Sequence, residues 1–372
     1  MTAIDKRGLY VHIPFCKRKC NYCDFCSSAA SDEVIEKYVQ TLCDEISSYK
    51  EMELYIDTVF IGGGTPSILS EDQCTRIFKT IRKSFFLASD AEITLEINPG
   101  TVTRSKLETY KSVGINRISI GLQSIHENEL KILGRIHNYE DFLNTYSMLR
   151  ELGFSNVSID LMYGIPGQTR ESFRQTLATV LPLQPEHISA YGLIIEEGTP
   201  FFKMRDELDL PTEDDECDMY FECAALMRQN GYTHYEISNY SKDGYACRHN
   251  LKYWRDEEYV AVGLAAHSYL FGNRFAATEA MEEYFEDHGV KYKTQLSSGG
   301  KDATEYVMLA LRLSEGLSLS EYRELFGKDF TLGKEAEINN FLRTGYLSMD
   351  NDRVMLTEKG FYVSNYVISS LI

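Results

Sequence analysis

Cys16, Cys20 and Cys23 form a C-x3-C-x2-C run directly after the apolar segment Leu9-Tyr-Val-His-Ile-Pro-Phe15. Three thiolates this close in the chain can hold one face of a small iron–sulfur cluster, leaving one iron without a protein ligand. An open metal position is where chemistry takes place. Cys26 complicates the count: Cys20-x2-Cys23-x2-Cys26 repeats part of a ferredoxin spacing, with Cys16 as a fourth ligand. That alternative, an iron–sulfur electron carrier, lacks the usual Cys-Pro partner and has a long chain attached to it. Zinc fits poorly, since neither two separated cysteine pairs nor histidines at finger spacing lie near the run.

A second stretch with chemical potential is Arg248-His249-Asn250-Leu-Lys-Tyr253-Trp254-Arg255. Histidine is a common axial ligand of haem iron, and Tyr and Trp offer flat faces to a macrocycle. Arg248, Lys252 and Arg255 are cations suited to propionates. The plain alternative is a surface loop with a packed Trp. Cys247 and His267 are further candidate iron ligands.

These groups need elements to position them. From residue 8 to about 195, short β-branched runs (9–13, 56–61, 91–97, 116–121, 157–162 and 187–193) alternate with amphipathic stretches such as 32–49, whose apolar residues recur at helical spacing. Six β-then-α units imply an α/β fold with a parallel sheet, because parallel strands require crossovers. Spacing leaves open whether the sheet is doubly wound or a full or partial barrel. Either way ligands gather at the carboxyl ends of the strands. Chemistry-bearing residues do follow the runs: the cysteines, then Gly62-Gly-Gly-Thr-Pro-Ser67, Glu96-Ile-Asn-Pro-Gly100, Gly121-Leu-Gln123, and Asp160 with Gly164-Ile-Pro-Gly167. Any one of these endings is ordinary turn chemistry; five in succession predict a site. The glycine loop lacks the Lys-Ser/Thr of a phosphate-binding loop.

Beyond about 200 the alternation fades. An acidic opening at 211–216 predicts a helix to about Asn230, and 235–240 reads as one strand. A helix at 305–313, a helix end at 341–345, a hairpin over 346–356 and a final helix from Glu358 predict a small winged-helix-like domain.

The 372 residues are 43% hydrophobic and 25% charged, with a net charge of −18. Such a chain repels nucleic acid and anionic membranes. No apolar run is long enough to span a bilayer and no signal peptide is evident, so the expected location is cytoplasmic. Nine cysteines there read as metal ligands or buried residues rather than disulfides.

The cysteine run with Tyr22 before its last member, after a first strand and ahead of a glycine loop, resembles the radical S-adenosylmethionine (SAM) superfamily. More narrowly, Tyr10-Val-His-Ile-Pro-Phe-Cys16, the glycine loop, Ile118-Ser-Ile-Gly-Leu-Gln-Ser124, Leu133-Gly-Arg-Ile-His137 and Asp160-Leu-Met-Tyr-Gly-Ile-Pro-Gly167 resemble the oxygen-independent coproporphyrinogen III oxidase group. The oxidase pattern has a cysteine two positions after the third ligand; Phe25 stands there instead. That departure, and His249-Asn250-Leu-Lys-Tyr253-Trp254, resemble the HemW-type haem chaperones.

The resemblance implies a partial (β/α)6 TIM-like barrel with a core over 1–235, a haem-motif segment over 236–298 completing it, and the winged-helix-like domain over 299–372. It implies a 4Fe-4S cluster on Cys16, Cys20 and Cys23, whose open iron chelates SAM and whose electron cleaves it. Tyr10 and Tyr22 would lie against SAM, the backbone of Gly63, Gly64 and Thr65 against its amino acid moiety. Glu96, Gln123 and Asp160 would bond its ribose or amino group, and Arg135 its carboxylate. His249, Asn250, Tyr253 and Trp254 would hold haem, with a haem acceptor and an electron donor as partners. Coproporphyrinogen III oxidation is the alternative activity. The stretch Gly263-Leu-Ala-Ala-His-Ser268 stands where the family shows a Gly-Pro-Gly-Ala-His-Ser-like loop.

Overall fold

The computed structural model describes residues 5–286, 294–297 and 299–372; the rest of the expected core segments, 1–4, 287–293 and 298, lies outside the described residues. Strands β1 (Lys6–Ile13), β2 (Tyr55–Gly63), β3 (Phe86–Ile97), β4 (Arg117–Gln123), β5 (Val157–Tyr163) and β6 (His187–Gly192) pair in sequence order, each parallel to the next. Side chains alternate across each strand. Leu9, Val11 and Ile13 on β1 are fully buried against the outer helical layer, whereas Tyr10 and His12 take the opposite face of the strand. The helix Asp32–Ser48 begins where the Ser31 side chain accepts from the Val34 amide, and it buries Ile35, Tyr38, Val39, Leu42 and Ile46.

Two features extend the six expected units. The segment read as one strand at 235–240 is a hairpin, β7 (Thr233–Glu236) and β8 (Asn239–Ser241), with β8 antiparallel to β6. At the other edge, β9 (Tyr259–Val262) runs parallel to β1 and makes a seventh parallel strand. Antiparallel strands, beginning with β10 (His267–Leu270), carry that edge outward to twelve strands in all. The described strands do not close on themselves: β6 pairs with β8 and β1 with β9, so the barrel is partial.

Between β8 and β9 the chain forms the helix Arg248–Trp254. Its first amides, Arg248 N and His249 N, each donate to the Glu92 carboxylate of β3 at 3.2 Å. A carboxylate at a helix N-terminus satisfies orphan donors and complements the helix dipole. This helix therefore docks against the amino-terminal ends of β2 and β3, opposite the rim that carries the cysteines.

The C-terminal part runs helix Ala303–Ala310, strand Leu317–Ser318, helices Leu319–Phe326 and Glu335–Thr344, then strands Leu347–Met349 and Arg353–Leu356, a winged-helix arrangement. Gly345 takes a left-handed conformation to end the third of these helices. Val307, Leu311, Phe330, Phe341 and Val354 form a separate core that reaches the barrel through Tyr220. No helix among the described residues is long and apolar enough to cross a membrane.

Candidate functional site

Cys16, Cys20 and Cys23 line a cavity of about 330 Å³ at the carboxyl ends of β2 to β5. Their loop is pinned from several directions. Cys16 N donates to Ser28 O at 3.0 Å, Asn21 N to Leu133 O at 2.9 Å, and Phe201 N to Asn21 O at 3.0 Å. Two donors address the sulfurs themselves: Thr65 Oγ1 lies 3.4 Å from Cys16 Sγ and Arg135 Nη1 lies 3.7 Å from Cys20 Sγ. Among the described residues no three His, Cys, Asp or Glu side chains converge tightly enough for a single metal ion. Three thiols spread along a cavity wall suit a four-iron cube, in which each sulfur binds a different iron. Cys26 lines a different cavity, and its carbonyl oxygen is 2.9 Å from His12 Nε2.

The glycine loop packs against the end of β1. A Cβ on Gly64 would lie 2.7 Å from Phe15 O, and Gly63, at φ +107°, would place one inside the His12 ring. Gly64 N donates to Ile13 O at 2.8 Å, Thr65 N to Phe15 O at 2.7 Å, and Gly63 N to Glu96 Oε2 at 3.2 Å. These amides are spent within the protein, so ligand contact from Gly63, Gly64 and Thr65 falls to carbonyl and α-carbon surface. Carbonyl acceptors suit an ammonium group.

Opposite the cysteines stand Glu96, Gln123 and Asp160, all lining the cavity. Burial, then the neighbouring Asp160 charge, push Glu96 up to about 7. Asp160 is also raised by burial, despite the Ser119 hydroxyl 3.0 and 3.1 Å from its two oxygens. Gln123 adopts φ +69°, and its buried Oε1 has no hydrogen-bond partner among the described residues. Arg135 spans the floor: besides Cys20 it donates to Gly121 O at 2.7 Å and to Asn98 Oδ1. Asn98 in turn donates to Thr65 Oγ1 at 2.8 Å, which ties the cysteine loop, the glycine loop and β3 together. Buried carboxylates, an unpaired amide oxygen and a guanidinium make a cradle for a ligand bearing hydroxyls, an ammonium and a carboxylate. A 4Fe-4S cluster and SAM fit this donor set.

Asn98, Ser119 and Tyr191 also line the cavity but were not singled out from the sequence. Strand alternation carries the signal, since Asn98 follows Glu96 by two, Ser119 precedes Gly121 by two, and Tyr191 continues the row of His187 and Ser189.

Behind this cradle lies a second interior cavity of about 310 Å³, lined by Tyr10, Phe60, Asn250 and Tyr253 and sharing Gly63, Glu96, Ser119, Asp160 and Tyr191 with the first. Tyr22 lines the cluster cavity, and Tyr10 lines this adjoining space, with its hydroxyl 3.0 Å from His12 Nδ1.

The stretch 248–255 also needs correction. It is a half-buried helix, Arg248–Trp254, rather than a surface loop, and His249 and Lys252 are the residues it buries. The ring is fully buried, with Nδ1 2.9 Å from Thr58 Oγ1 and Nε2 2.8 Å from the Tyr253 hydroxyl. Burial and the nearby Lys252 and Arg117 cations lower its pKa to about 3, so the neutral ring donates one hydrogen bond and accepts one. Arg117 is itself buried beneath the cradle among Glu92, Cys247 and Tyr235. Trp254 lines none of these cavities: Arg312 lies over its ring at 5.4 Å, and it faces the C-terminal domain. Lys252 pairs with Asp57 and Glu257, and Arg255 with Glu315. Cys247 is fully buried. The local pattern of a short polar-aromatic helix says nothing about which face the tertiary structure covers.

The radical SAM superfamily pattern matches residues 10–180, and that of the HemN C-terminal domain matches residues 301–363. Over the whole length, the chain is 32% identical to the heme chaperone HemW of Bacillus subtilis (strain 168), covering 98% of this chain and 99% of that protein. It is 41% identical to the heme chaperone HemW of Escherichia coli (strain K12), over 72% of this chain and 71% of that one. The chain belongs to the HemW family of the radical SAM superfamily. Its fold is also that of the solved coproporphyrinogen III oxidase HemN of Escherichia coli, with a TM-score of 0.83, 22% identity, and coverage of 99% of this chain and 90% of that one.

Proposed function

We propose that this protein binds haem and passes it to an acceptor protein, while carrying a 4Fe-4S cluster on Cys16, Cys20 and Cys23 and SAM in the cradle before them. The observation that carries the reading is the near full-length likeness to proteins named heme chaperone HemW. Phe25 supports it, since it stands where the oxidase pattern places a further cysteine.

In the cradle, Glu96 and Asp160 accept from the SAM ammonium and ribose hydroxyls, Gln123 Oε1 takes a further donor, and Arg135 offers its positive charge to the carboxylate. Tyr22 gives an aromatic wall and the glycine loop a close approach. When bound, the cluster supplies one electron for reductive cleavage of the sulfonium, and an electron donor is required to recharge it. Coproporphyrinogen oxidation is the second reading, favoured by the fold shared with HemN; a likeness at 22% identity speaks to fold alone.

The test is transfer. Haem-loaded, cluster-reconstituted protein mixed with a haem-free acceptor should lose its haem spectrum as the acceptor gains one. The same preparation, given coproporphyrinogen III, SAM and a reductant, should form no protoporphyrinogen. Formation of that product would overturn the chaperone-only reading.

A further inference from the structure

Cys20 lines two spaces. One is the cluster cavity; the other is a notch of about 20 Å³ lined also by Lys17, Arg18, Ile136 and His137. Neither Cys16 nor Cys23 lines this notch. It adjoins a broader hollow of about 400 Å³, with which it shares Arg135, Ile136 and His137, and which Glu127 and Lys131 wall further.

The charge on this face runs against that of the chain. The net charge is −18, yet notch and hollow are lined by four cations, Lys17, Arg18, Lys131 and Arg135, and one carboxylate, Glu127. Lys17, Arg18 and Lys131 are exposed and form no ion pair among the described residues. His137 adds no charge, because burial and then the Arg135 guanidinium lower it to about 4. The cavity that Cys26 lines is acidic by contrast, with Asp24 and Glu279, and Lys19 is turned to Phe25 O at 2.8 Å. Between the cations stands Ile136, 53% exposed. An apolar residue flanked by unpaired charges of one sign has the make-up of a contact surface.

The face is also preformed. Gly134 ends the helix Glu127–Leu133 at φ +80°, and a Cβ there would lie 3.3 Å from Asn21. Asn21 N donates to Leu133 O at 2.9 Å and Asn21 Nδ2 to Ile132 O at 2.8 Å. The cysteine loop and the loop bearing Ile136 are thus one platform, and a partner can seat on it without a cost of ordering.

We propose that this face docks a small acidic one-electron carrier protein, of the ferredoxin or flavodoxin kind, and that its electron enters through Cys20. Electron transfer falls off steeply with distance, so a donor must seat where a cluster ligand nears the surface, and Cys20 lines the notch itself. In the docked pair the carrier loses one electron and the cluster held by Cys20 gains it; no bond forms or breaks and no proton moves. Nucleic acid and anionic membranes are extended polyanions, which meet the acidic remainder of the surface. A small protein covers the basic patch alone, as redox encounters do. The proposal rests on the cluster reading above.

The experiment measures docking and reduction separately. An acidic 2Fe-2S ferredoxin and an acidic flavodoxin are the probes. Each is titrated, oxidised, onto the full-length, cluster-reconstituted protein; each is then mixed with it, reduced, in stopped flow, and the cluster is followed by bleaching and by its electron paramagnetic resonance signal. At least one carrier is expected to bind saturably, and more weakly as salt is raised. Lys17→Glu combined with Lys131→Glu should weaken that binding and slow cluster reduction by the carrier, each about tenfold, and flatten the salt dependence. Ile136→Ser should weaken binding with the salt dependence kept. Thermal melting, iron content and reduction by dithionite, which needs no docking, should stay unchanged in all variants. Unchanged carrier affinity and reduction rate in the double variant, or no saturable binding of either carrier to the unaltered chain, would overturn this site while dithionite still reduces the cluster. Failure of dithionite to reduce the reconstituted, unaltered chain would overturn the cluster reading itself.

Discussion

The Tyr253 hydroxyl lies 2.8 Å from Nε2 of His249, one helical turn earlier on the same short helix. The other ring nitrogen is 2.9 Å from Thr58 Oγ1, and the imidazole stacks on Phe60 with centroids 5.4 Å apart. His249→Ala empties a fully buried position and strands two hydroxyls. It should cost about 3 kcal/mol of stability in a denaturant titration, as for other buried large-to-small changes that leave polar groups unpaired. A loss below about 1 kcal/mol would mean that the buried ring and its two hydrogen bonds contribute little to the packing between this helix and β2.

Glu96 links the cradle to pH. Its carboxyl is raised from 4.5 to about 7 by burial and by Asp160, so the folded chain holds this proton more tightly than the unfolded chain. The stability it contributes is full below pH 4.5 and is lost as the pH rises through about 7. Melting of the ligand-free protein should therefore fall between pH 5 and pH 7 more in the native chain than in Glu96→Gln. Glu236 is raised to a similar value, and the difference between the two curves isolates Glu96. A cationic ligand reverses the trend, because it prefers the ionised carboxylate. SAM affinity should rise over the same interval and lose that dependence in Glu96→Gln; parallel profiles would refute the assignment.

Gly64→Ala forces a methyl against the Phe15 backbone, with Phe15 O at 2.7 Å and its N at 2.8 Å. Backbone does not yield as a side-chain tip does, so the loop carrying Cys16 must shift. Iron per chain after reconstitution should fall by half or more, measured colorimetrically. Full loading would show that the glycine loop does not support the cluster.

Cys26→Ser tests which cysteines hold iron. Because Cys26 lines a different cavity from the other three, the variant should keep its full iron content, whereas Cys20→Ser should lose most of it. Equal losses would favour four cysteine ligands and the electron-carrier alternative.

The six parallel strands and their polar endings were legible because short β-branched runs alternate with amphipathic stretches, and glycine, cysteine or carboxylate follows each of the first five runs. Strand β9 was not: four residues do not make a period, and its partner β1 lies some 250 residues away in sequence. In the site, Glu96 and Asp160 stood out as carboxylates at strand ends. Asn98 and Ser119 were hidden as ordinary turn and strand residues, although alternation places them beside those carboxylates. For 248–255 the chemistry of the side chains was readable but their exposure was not. Whether an imidazole faces solvent or Thr58 depends on contacts 191 residues apart.

The account's central claim is that this chain handles haem beside a SAM-binding cluster. Haemin titration of the reconstituted protein, with and without SAM and followed at the Soret band, tests it most directly. The account predicts saturable binding of haemin in both conditions, with an affinity that SAM alters. Non-saturating association in both conditions would contradict it.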